Sequence, residues 1–350
     1  MKEFDVKKYQ ELFDLGGVSG NETLVRKYVR SHLEASSNEI IQDKWGSVYA
    51  INKGSCEGPV VMIDGHMDEV GVMITGITPD GLLKIIPIGG INVDVMISQK
   101  LDVIIDEATK VRGVIASIPP HLTRGSQAPQ LTFDDLRLDL GCASSDEVKK
   151  LGIKVGMQAV FVNDFSFTYD GRKLMSKAID DRFGCAMALE INEELANIDH
   201  PNTVICGCSV QEEVGLRGAI VASRTFNPDL FIAIDVSPSS PSQGHLEEGF
   251  LVRYYDPGCI MHKGIRKYIE DLADKHGIKY QYYTSRGGTN AAQAQYAPNT
   301  ISCTIGLPAK YIHSTCAMAS VSDMNEIKKI VIEMIKAFDF KALEEVKENA

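Results

Sequence analysis

The chain alternates between short apolar runs and stretches with helical spacing, which is the pattern of strands followed by helices. Beyond residue 180 this pattern predicts, in chain order, a helix over 183–196, a strand over 203–210, a helix over 216–224, a strand over 229–235, a helix over 262–276, a strand over 300–306 and a helix over 322–346. A regular order of strand and helix indicates an α/β domain.

The first part of the chain predicts helix and then strand. Residues 7–35 have helical spacing with a turn at residues 16–17, and either Ser19 or Asn21 is expected to cap the helix that follows. Strand-like pieces then lead to His66.

Between residues 71 and 165 the sequence pattern changes to short Val- and Ile-rich runs separated by glycines. We predict that this segment is a small β-rich domain inserted into an α/β domain formed by residues 1–70 and 166–350. A chain of 350 residues is also too long for one compact core of ordinary size, so two domains are the default expectation.

Several apolar runs lead to side chains that bind metals. The candidates are His66 with Asp68, Glu212 with Glu213, Asp235 and His313, each at or after a predicted strand, and Asp180 with Asp181 just before a predicted helix. Because open α/β sheets place their ligands outside the carboxyl ends of the strands, these side chains are expected to meet. Their imidazole and carboxylate groups suit zinc, cobalt or manganese.

Glu212 and Glu213 are neighbours in the chain, and in an extended backbone neighbouring side chains point to opposite faces. We therefore expect them to have different roles. Metal-assisted hydrolysis needs one group that holds the cation and a separate carboxylate that takes a proton from the attacking water. An isolated Glu-Glu pair is ordinarily a solvated loop pair, so the catalytic interpretation depends on the other candidate ligands.

Five motifs resemble one family of enzymes. They are His-Met-Asp at 66–68, Ala-Ile-Asp-Asp-Arg at 178–182, Gln-Glu-Glu-Val-Gly-Leu-Arg-Gly-Ala at 211–219, Ile-Asp at 234–235 and Tyr-Ile-His-Ser at 311–314. In order and spacing they resemble the glutamyl and deblocking aminopeptidases, dinuclear metallopeptidases that build tetrahedral shells. The resemblance runs nearly end to end. One His-x-Asp would be weak, but five ordered motifs are specific.

The resemblance implies the fold and the activity. The expected fold is a mixed-sheet, phosphorylase/hydrolase-like metallopeptidase domain with helices on both faces and an inserted β-barrel-like domain that pairs subunits and covers the active site. The expected activity is that of a metal-dependent aminopeptidase acting on peptides. It would use two divalent ions per subunit, zinc or cobalt, with manganese as a further candidate, in a homo-oligomer of twelve subunits.

The resemblance also implies a role for each residue. The ligands would be Asp180 as the bridge between the ions, His66 with Asp235 for one ion, and Glu213 with His313 for the other. Glu212 would be the general base, and Asp68 would orient the imidazole of His66. The choice of Asp180 over Asp181 rests on the family pattern alone.

Three positions depart from the family pattern. Asn290 stands where the family usually has aspartate, and Thr315 and Ala317 stand where it often has proline and glutamate. These departures keep open an inactive relative that acts as an assembly or binding protein. A glucan hydrolase is another alternative, since some relatives carry endoglucanase labels. It is disfavoured because glycosidases place two carboxyls on opposite sides of a glycosidic bond.

Composition adds limits on partners and location. The formal net charge of -11 argues against nucleic acid and anionic membranes as partners. No apolar run approaches membrane-spanning length and the N-terminus has no signal-peptide core, so a cytoplasmic location is expected. The eight cysteines lie scattered through apolar stretches and are expected to be buried free thiols.

Other polar residues have less defined roles. His121 lies in the predicted insert, and we expect it either at the surface or near a neighbouring active site. Lys310 and Arg286 are candidates to attract an acidic side chain of a substrate, but the sequence does not define which N-terminal residue is preferred.

Overall fold

The structure of the protein, a computed structural model, describes residues 2–37, 39–118, 131–296 and 300–350; His121 lies outside them. The described strands are β1 (Ile40–Gln42), β2 (Val48–Lys53), β3 (Val60–His66), β4 (Gly71–Ile77), β5 (Leu83–Ile88), β6 (Lys100–Ile104), β7 (Lys110–Ile115), β8 (Arg137–Asp139), β9 (Gln158–Phe161), β10 (Ser166–Phe167), β11 (Lys173–Ser176), β12 (Thr203–Ser209), β13 (Leu230–Pro238), β14 (Phe250–Asp256), β15 (Cys259–Ile260), β16 (Tyr280–Thr284), β17 (Ile301–Lys310) and β18 (Ala317–Ser320).

A large mixed sheet holds the strands in the order β1-β2-β12-β3-β13-β17-β18-β11-β10, and β14 joins it beside β17 and also pairs with β15 and β16. At the centre, β12, β3, β13 and β17 run parallel. Ser209 lies opposite His66, and Asp235 lies opposite Gly306, so the carboxyl ends of these strands share one edge. This shared edge is where sequence reasoning places the ligands.

Helices cover both faces of the sheet. They are α1 (Gln10–Asp14), α2 (Thr23–Ser36), α3 (Ser145–Lys150), α4 (Ile179–Leu195), α5 (Arg217–Phe226), α6 (Lys263–His276), α7 (Asn290–Ala294), α8 (Val321–Ala337) and α9 (Phe340–Glu348). Along β3, Val61 and Ile63 belong to the core beneath α2, α4 and α8, whereas Met62 belongs to the core beneath α5 and α7. The alternation follows from the two-residue period of a strand, and burial on both faces explains why these strands are apolar throughout.

A second, closed sheet lies between β3 and β10 in the chain. Its strands form a barrel in the order β4-β5-β8-β7-β6-β9, all paired antiparallel. Its core is separate from the core of the large sheet and includes Val72, Ile74, Leu101 and Phe161, with Val148 from α3. The predicted fold class, an α/β sheet with helices on both faces and an additional β-barrel, is confirmed.

The helix predicted over residues 322–346 is wrong as a single element. The chain leaves the helical conformation at Phe338, and Asp339 then accepts a hydrogen bond from the N–H of Ala342 at 2.8 Å, which caps a new helix. The side-chain amide of Asn202 donates to the carbonyls of Ile335 and Phe338, which the ending helix leaves free. The apolar spacing continues across the break, so periodicity alone predicts one helix.

The expected N-cap at Ser19 or Asn21 is also wrong. The helix α2 begins after Glu22, with no side-chain hydrogen bond at its cap. The Ser19 hydroxyl instead donates to the Asp68 carboxylate at 2.6 Å, and Ser19 is itself buried. A residue expected to have a local role therefore contacts the candidate site.

All eight cysteines are free, but not all are buried. Cys185, Cys206, Cys208, Cys259 and Cys303 are buried as expected, whereas Cys56 and Cys316 are exposed and Cys142 is half-buried. Among the helices that the structure describes, none combines the length and the apolar character needed to cross a membrane.

Candidate metal centre

The sequence-predicted ligands lie together at the carboxyl edge of the central parallel strands. His66 ends β3, Asp235 lies within β13, and Asp180 lies in the first turn of α4, which packs against both strands. The potential ligand atoms form three groups, and within each group the atoms lie at most 4.8 Å apart. The groups are His66 with Glu212 and Asp235, His66 with Asp180 and Glu213, and Asp180 with Asp181 and Asp235. His313 joins them through contacts with Asp180 and Glu213.

The two oxygens of Asp180 face two different imidazoles. Oδ1 lies 3.1 Å from Nε2 of His66, and Oδ2 lies 3.3 Å from Nε2 of His313. Asp181 uses its oxygens differently, because it accepts the backbone N–H of His66 at 3.0 Å and that of Gly184 at 2.9 Å. Asp180 therefore has both oxygens turned to the site, whereas Asp181 braces β3 against α4.

Glu212 and Glu213 lie in the turn after β12 rather than on an extended strand, and Gln211 before them has a left-handed φ of 56°. The alternation of side chains along an extended strand therefore does not apply to this pair. Oε2 of Glu212 lies 3.9 Å from Nε2 of His66, and Oε1 of Glu213 lies 3.4 Å from Nε2 of His313. The shortest imidazole contact of each carboxylate is with a different ring, although an oxygen of Glu213 also lies within 4.8 Å of a ring nitrogen of His66.

Asp68 joins the histidine to the glutamate pair. Its carboxylate accepts the backbone N–H groups of Glu212 at 2.9 Å and of Glu213 at 3.1 Å. Nδ1 of His66 lies 3.1 Å from the backbone carbonyl of Asp68 and 3.4 Å from its carboxylate. Burial opposes the charged form of Asp68, but the neighbouring His66 and the donors from Ser19 and Glu212 hold its pKa below the usual value.

The barrel contributes one contact to the site. Nδ1 of His313 lies 2.7 Å from the backbone carbonyl of Gly90, in the segment that follows β5. This contact leaves Nε2 of His313 facing Asp180 and Glu213, so Gly90 orients the ring. Sequence reasoning missed Gly90, because a backbone carbonyl leaves no side-chain signal.

Burial and mutual repulsion perturb the acids of the site. Burial raises the pKa of Glu213 to about 8 and that of Asp235 to about 6, and in both cases the charge of Asp180 adds to the shift. Burial likewise raises the pKa of Glu212 well above its usual range. The pKa of Asp180 is lowered instead, because His313 and His66 outweigh the effect of burial.

The neighbouring carboxylates raise the pKa of both imidazoles. Burial disfavours the charged form of His313, but Asp180 and Glu213 raise its pKa to about 10. The pKa of His66 is raised well above its usual value by Glu212, Asp180 and Asp68, against the opposing effect of burial. Several acids held this close together favour positive charge between them.

A buried ionic network lies beneath the site and was not anticipated from the sequence. Glu69 receives hydrogen bonds from Lys177 at 2.7 and 2.6 Å and from Arg182 at 2.9 Å, and the side chains of all three are at most 2% exposed. Arg182 also donates to the carbonyls of Met67 and Leu15. Glu69 directly follows Asp68, and Arg182 directly follows Asp181. Their position beside the motifs is the sequence signal that could have identified these two members of the network.

The departure at Asn290 has a partner on β3. Its amide donates to Asp64 at 2.7 Å and to the Ser209 hydroxyl at 2.8 Å, while Asp64 also accepts the Tyr49 hydroxyl at 2.7 Å. Burial raises the pKa of Asp64 to about 7, although these donors oppose the shift. Asn290 is therefore buried beside the site as a hydrogen-bond donor to a carboxylate.

The site opens into a cleft of about 520 Å³. Its lining includes candidate ligands together with apolar side chains, an arginine and glycine backbone: Asp180, Glu212, Glu213, Asp235 and His313, then Leu216, Val236, Pro238, Ile312, Arg253, Gly287 and Gly288. The lining of the cleft thus combines the polar candidate ligands with apolar side chains.

The residues present fit divalent cations. Glu213 Oε1 is buried and has no hydrogen-bond partner among the residues that the structure describes, which leaves a ligand atom available to a cation. Nitrogen and oxygen donors without a thiolate suit borderline ions such as zinc, cobalt and manganese. Imidazoles and carboxylates gathered at a cleft beside the carboxyl ends of parallel strands are the arrangement found in metal-dependent hydrolases.

The chain belongs to the M42 glutamyl aminopeptidase family, which it matches over residues 46–330. It is 35% identical over 355 residues to the glutamyl aminopeptidase of Lactococcus lactis, with 99% of each chain covered. It is also 31% identical over 351 residues to the lysyl aminopeptidase of Pyrococcus furiosus, covering 96% of this chain and 99% of that one. The protein is therefore a peptide hydrolase of the aminopeptidase class, in a family of metallopeptidases.

Solved structures agree on the fold. A TET aminopeptidase from a marine-sediment thaumarchaeon superposes with a TM-score of 0.92 at 30% identity, covering 97% of this chain and 98% of that chain. The TET1 peptidase of Pyrococcus horikoshii gives 0.87 at 28% identity, covering 95% and 99%, and is described as assembling into a tetrahedron or a large octahedral shell. A protein of Thermotoga maritima described as an endoglucanase gives 0.78 at 26% identity, covering 96% and 98%.

Proposed function

We propose that the protein releases N-terminal residues from peptides with a two-metal centre in which Glu212 is the general base. The observation that supports this proposal most directly is the position of Asp180. Its two oxygens face His66 at 3.1 Å and His313 at 3.3 Å, as expected for a carboxylate between two cations. The choice of Asp180 over Asp181 thereby gains a physical reason, because both oxygens of Asp181 already accept backbone N–H groups.

The remaining ligands divide between the two imidazoles. We assign His66 and Asp235 to one ion, as the family resemblance implies; their donor atoms lie within 4.8 Å of each other, as do those of His66 and Glu213. We assign Glu213 and His313 to the other, because Oε1 of Glu213 lies 3.4 Å from Nε2 of His313 and has no hydrogen-bond partner within the described part of the chain. Zinc and cobalt are the preferred ions, with manganese as a further candidate.

Glu212 is not assigned to either ion, and its proposed role is proton transfer. Two bound cations would polarise the scissile carbonyl and lower the pKa of water. The Glu212 carboxylate, at the floor of the cleft, takes a proton from the attacking water and later gives it to the nitrogen of the leaving amine. Asp68 serves as a positioning residue, because it holds the backbone N–H of both glutamates while its carbonyl contacts Nδ1 of His66.

Glucan hydrolysis has less support. Glycosidases act with two carboxyls placed on opposite sides of a glycosidic bond. Here the carboxylates of Asp180, Glu212 and Glu213 lie 3.1 to 3.9 Å from imidazole nitrogens, which is the composition of a metal centre. A retired enzyme also has less support, because Asn290 is hydrogen-bonded within the fold and no departure removes a proposed ligand.

An assay with matched substrates tests the activity. The protein loaded with zinc or cobalt is expected to cleave aminoacyl-anilides and short peptides. Peptides with an acetylated N-terminus serve as the control, because they keep the scissile bond but lack the free amino group that defines an aminopeptidase substrate. Release of sugar from a β-glucan, or no cleavage of any free-amino substrate by the metal-loaded protein, would contradict the proposal.

We further propose that the chain forms a closed homo-oligomer of twelve subunits. Support comes from the solved TET peptidases, one of which is described as a dodecamer and another as able to form a tetrahedron or an octahedral shell. Such a shell would keep folded proteins away from the cleft. Light scattering is expected to give a mass near twelve times 38.4 kDa. A stable monomer would contradict the shell and leave the chemistry unaffected.

A further inference from the structure

A second cleft, of about 520 Å³, is lined by residues that adjoin the lining of the site cleft in the chain. Pro238 lines the site cleft and Ser239 lines the second cleft, while Ile312 lines the site cleft and Tyr311 lines the second cleft. The N–H of Ser239 donates to the carbonyl of Ala309 at 2.7 Å, which holds these two chain segments together. The two clefts therefore adjoin at both segments.

The second cleft is within reach of a short peptide bound at the proposed ligands. Ser239 lies four residues beyond Asp235 in the chain, which corresponds to roughly 13 Å of extended strand. An extended substrate spans a similar length per residue. With its first residue at the ligands, a peptide that runs beside β13 therefore brings its third or fourth residue to the second cleft.

Positive charge gathers at the second cleft, although the chain as a whole has a formal net charge of -11. Lys173 and Lys310 line the cleft, and Glu247 is the one acid among the described residues of its lining. That carboxylate is already paired, because one oxygen lies 3.1 Å from Arg172 and the other lies 2.9 Å from Lys173. Lys310 lies at the exposed end of β17, outside this ion-pair group. Its ammonium group is therefore available to a negatively charged ligand.

The charge of the second cleft discriminates among the groups of a peptide. The part of a peptide that follows the scissile bond carries negative charge at its C-terminal carboxylate and at the side chains of aspartate and glutamate. Such a carboxylate would meet Lys310 in the second cleft, whereas a lysine or arginine side chain would meet a charge of the same sign. Tyr311, which is 64% exposed, adjoins Lys310 in the chain and offers the peptide an aromatic surface.

We propose that the second cleft, with Lys310 as its principal charged group, binds a carboxylate on the leaving part of the substrate, at its third or fourth residue. This inference rests on the proposed aminopeptidase function and extends it from the residue that is released to the peptide that remains. Short peptides with a free C-terminus, or longer peptides with an acidic side chain at this position, are then cleaved more efficiently than their uncharged counterparts.

A tripeptide and its C-terminal amide provide the first test, because they have the same shape and differ in charge. Both begin with the residue whose anilide the wild-type protein cleaves fastest and continue with two glycines. The kcat/KM of the free acid is expected to be roughly 2- to 5-fold above that of the amide, the range of an exposed ion pair. The difference should lie in KM, because the contact is the same in the bound substrate and in the transition state. It should shrink as salt is added.

A second pair of peptides separates the two sources of the carboxylate. Both are tetrapeptide amides with the same first residue, and they carry either glutamate or glutamine at the third position. A preference confined to the first pair assigns the second cleft to the C-terminus, and a preference for glutamate in the second pair assigns it to side chains as well. Either result supports the proposal. Equal kcat/KM values within both pairs, or a preference that salt does not reduce, would overturn it.

Variants then assign the preference to a residue. Lys310→Gln removes the charge, so the ratio of kcat/KM between the charged and the uncharged peptide should fall toward one. Lys310→Arg keeps the charge and should retain the preference. Lys341→Gln is the matched control, because Lys341 is an exposed lysine on α9, and it should keep the wild-type ratio.

The outcomes separate this inference from the proposed function. An unchanged ratio in Lys310→Gln, or equal losses on the charged and the uncharged peptide, would contradict the role of Lys310. Loss of the preference in Lys341→Gln would rule out the second cleft as its source. Failure of the metal-loaded wild-type protein to cleave any aminoacyl-anilide or free-amino peptide would instead contradict the aminopeptidase proposal itself, and the inference with it.

Discussion

The carboxylate of Asp68 accepts the backbone N–H of Glu212 at 2.9 Å, so the histidine-bearing strand end and the glutamate-bearing turn are tied together by one side chain. A second oxygen of the same carboxylate accepts the N–H of Glu213 at 3.1 Å and the Ser19 hydroxyl at 2.6 Å. The positions of the proposed base and of one proposed ligand therefore depend on a residue two positions after His66.

Replacement of each glutamate by glutamine should separate the two roles. Glu212→Gln keeps size but removes the base, so turnover should fall roughly 10²- to 10⁴-fold while metal content stays near wild type. Glu213→Gln should weaken the binding of one ion, and excess metal should restore part of the activity. Metal analysis together with kinetics checks both. Metal loss in Glu212→Gln with retention in Glu213→Gln would show that the roles are swapped.

Asp68→Asn should disturb the site without removing a proposed ligand. An amide has one acceptor oxygen where the carboxylate has two, so the N–H groups of Glu212 and Glu213 and the hydroxyl of Ser19 cannot all be satisfied. We expect metal affinity or turnover to fall about 10- to 100-fold. Ser19→Ala removes one of the three donors and should have the smaller effect. Equal activity of Asp68→Asn and wild type would contradict a positioning role.

Removal of the metal should lower stability. The side chains of Asp180, Glu213 and Asp235 are at most 10% exposed and lie close together, so cations bound between them favour the folded state by mass action. A chelator is expected to lower the melting temperature, and elemental analysis of the untreated protein should give two divalent ions per chain. Metal affinity should weaken as pH falls, because protons compete for the imidazole and carboxylate ligands. One ion per chain would contradict the bridging role of Asp180.

The buried network beneath the site should be sensitive to the loss of one member. Lys177→Met leaves the carboxylate of Glu69 with Arg182 as its one charged partner among the described residues, and we expect the free energy of unfolding to fall by about 3–5 kcal/mol. The double variant with Glu69→Gln should recover part of this loss. The control is Lys267→Met, which breaks an exposed pair with Asp271 and should leave the free energy of unfolding close to that of wild type. Denaturant unfolding measures all three.

The buried Asp323 should give the stability a pH dependence. Burial raises its pKa from 3.8 to about 6, although N–H groups of Glu247 and Gly249 donate to it. Because the folded state binds this proton more tightly, its contribution is present at low pH and is lost as pH rises from about 4 through 6. In Asp323→Asn, the free energy of unfolding should change less across this range than in wild type. Identical slopes would contradict the raised pKa.

The strand ends and their ligand types could be predicted from the sequence because apolar runs and motif order are local signals. His66, Asp180, Glu213, Asp235 and His313 are each marked by the residues around them. Strand alternation, the reason for which we expected Glu212 and Glu213 to differ, does not apply, because the pair follows the left-handed Gln211 outside a strand.

Contacts between distant parts of the chain could not be predicted in this way. Gly90 and His313 lie 223 residues apart, and Ser19 and Asp68 lie 49 apart. Such pairings depend on the register of the folded sheets, which periodicity does not encode.

The carbonyl of Gly90 against the ring of His313 has a consequence for shortened versions of the chain. The segment between β3 and β10 contains about one hundred residues, and replacing it with a short linker would leave the core of the large sheet intact. Such a chain would keep the side chains of all five proposed ligands, yet it would lose the acceptor that fixes one of the two imidazoles. A shortened active protein would therefore have to keep the loop that carries Gly90. Because this loop follows β5, the barrel is the structure that holds Gly90 against His313.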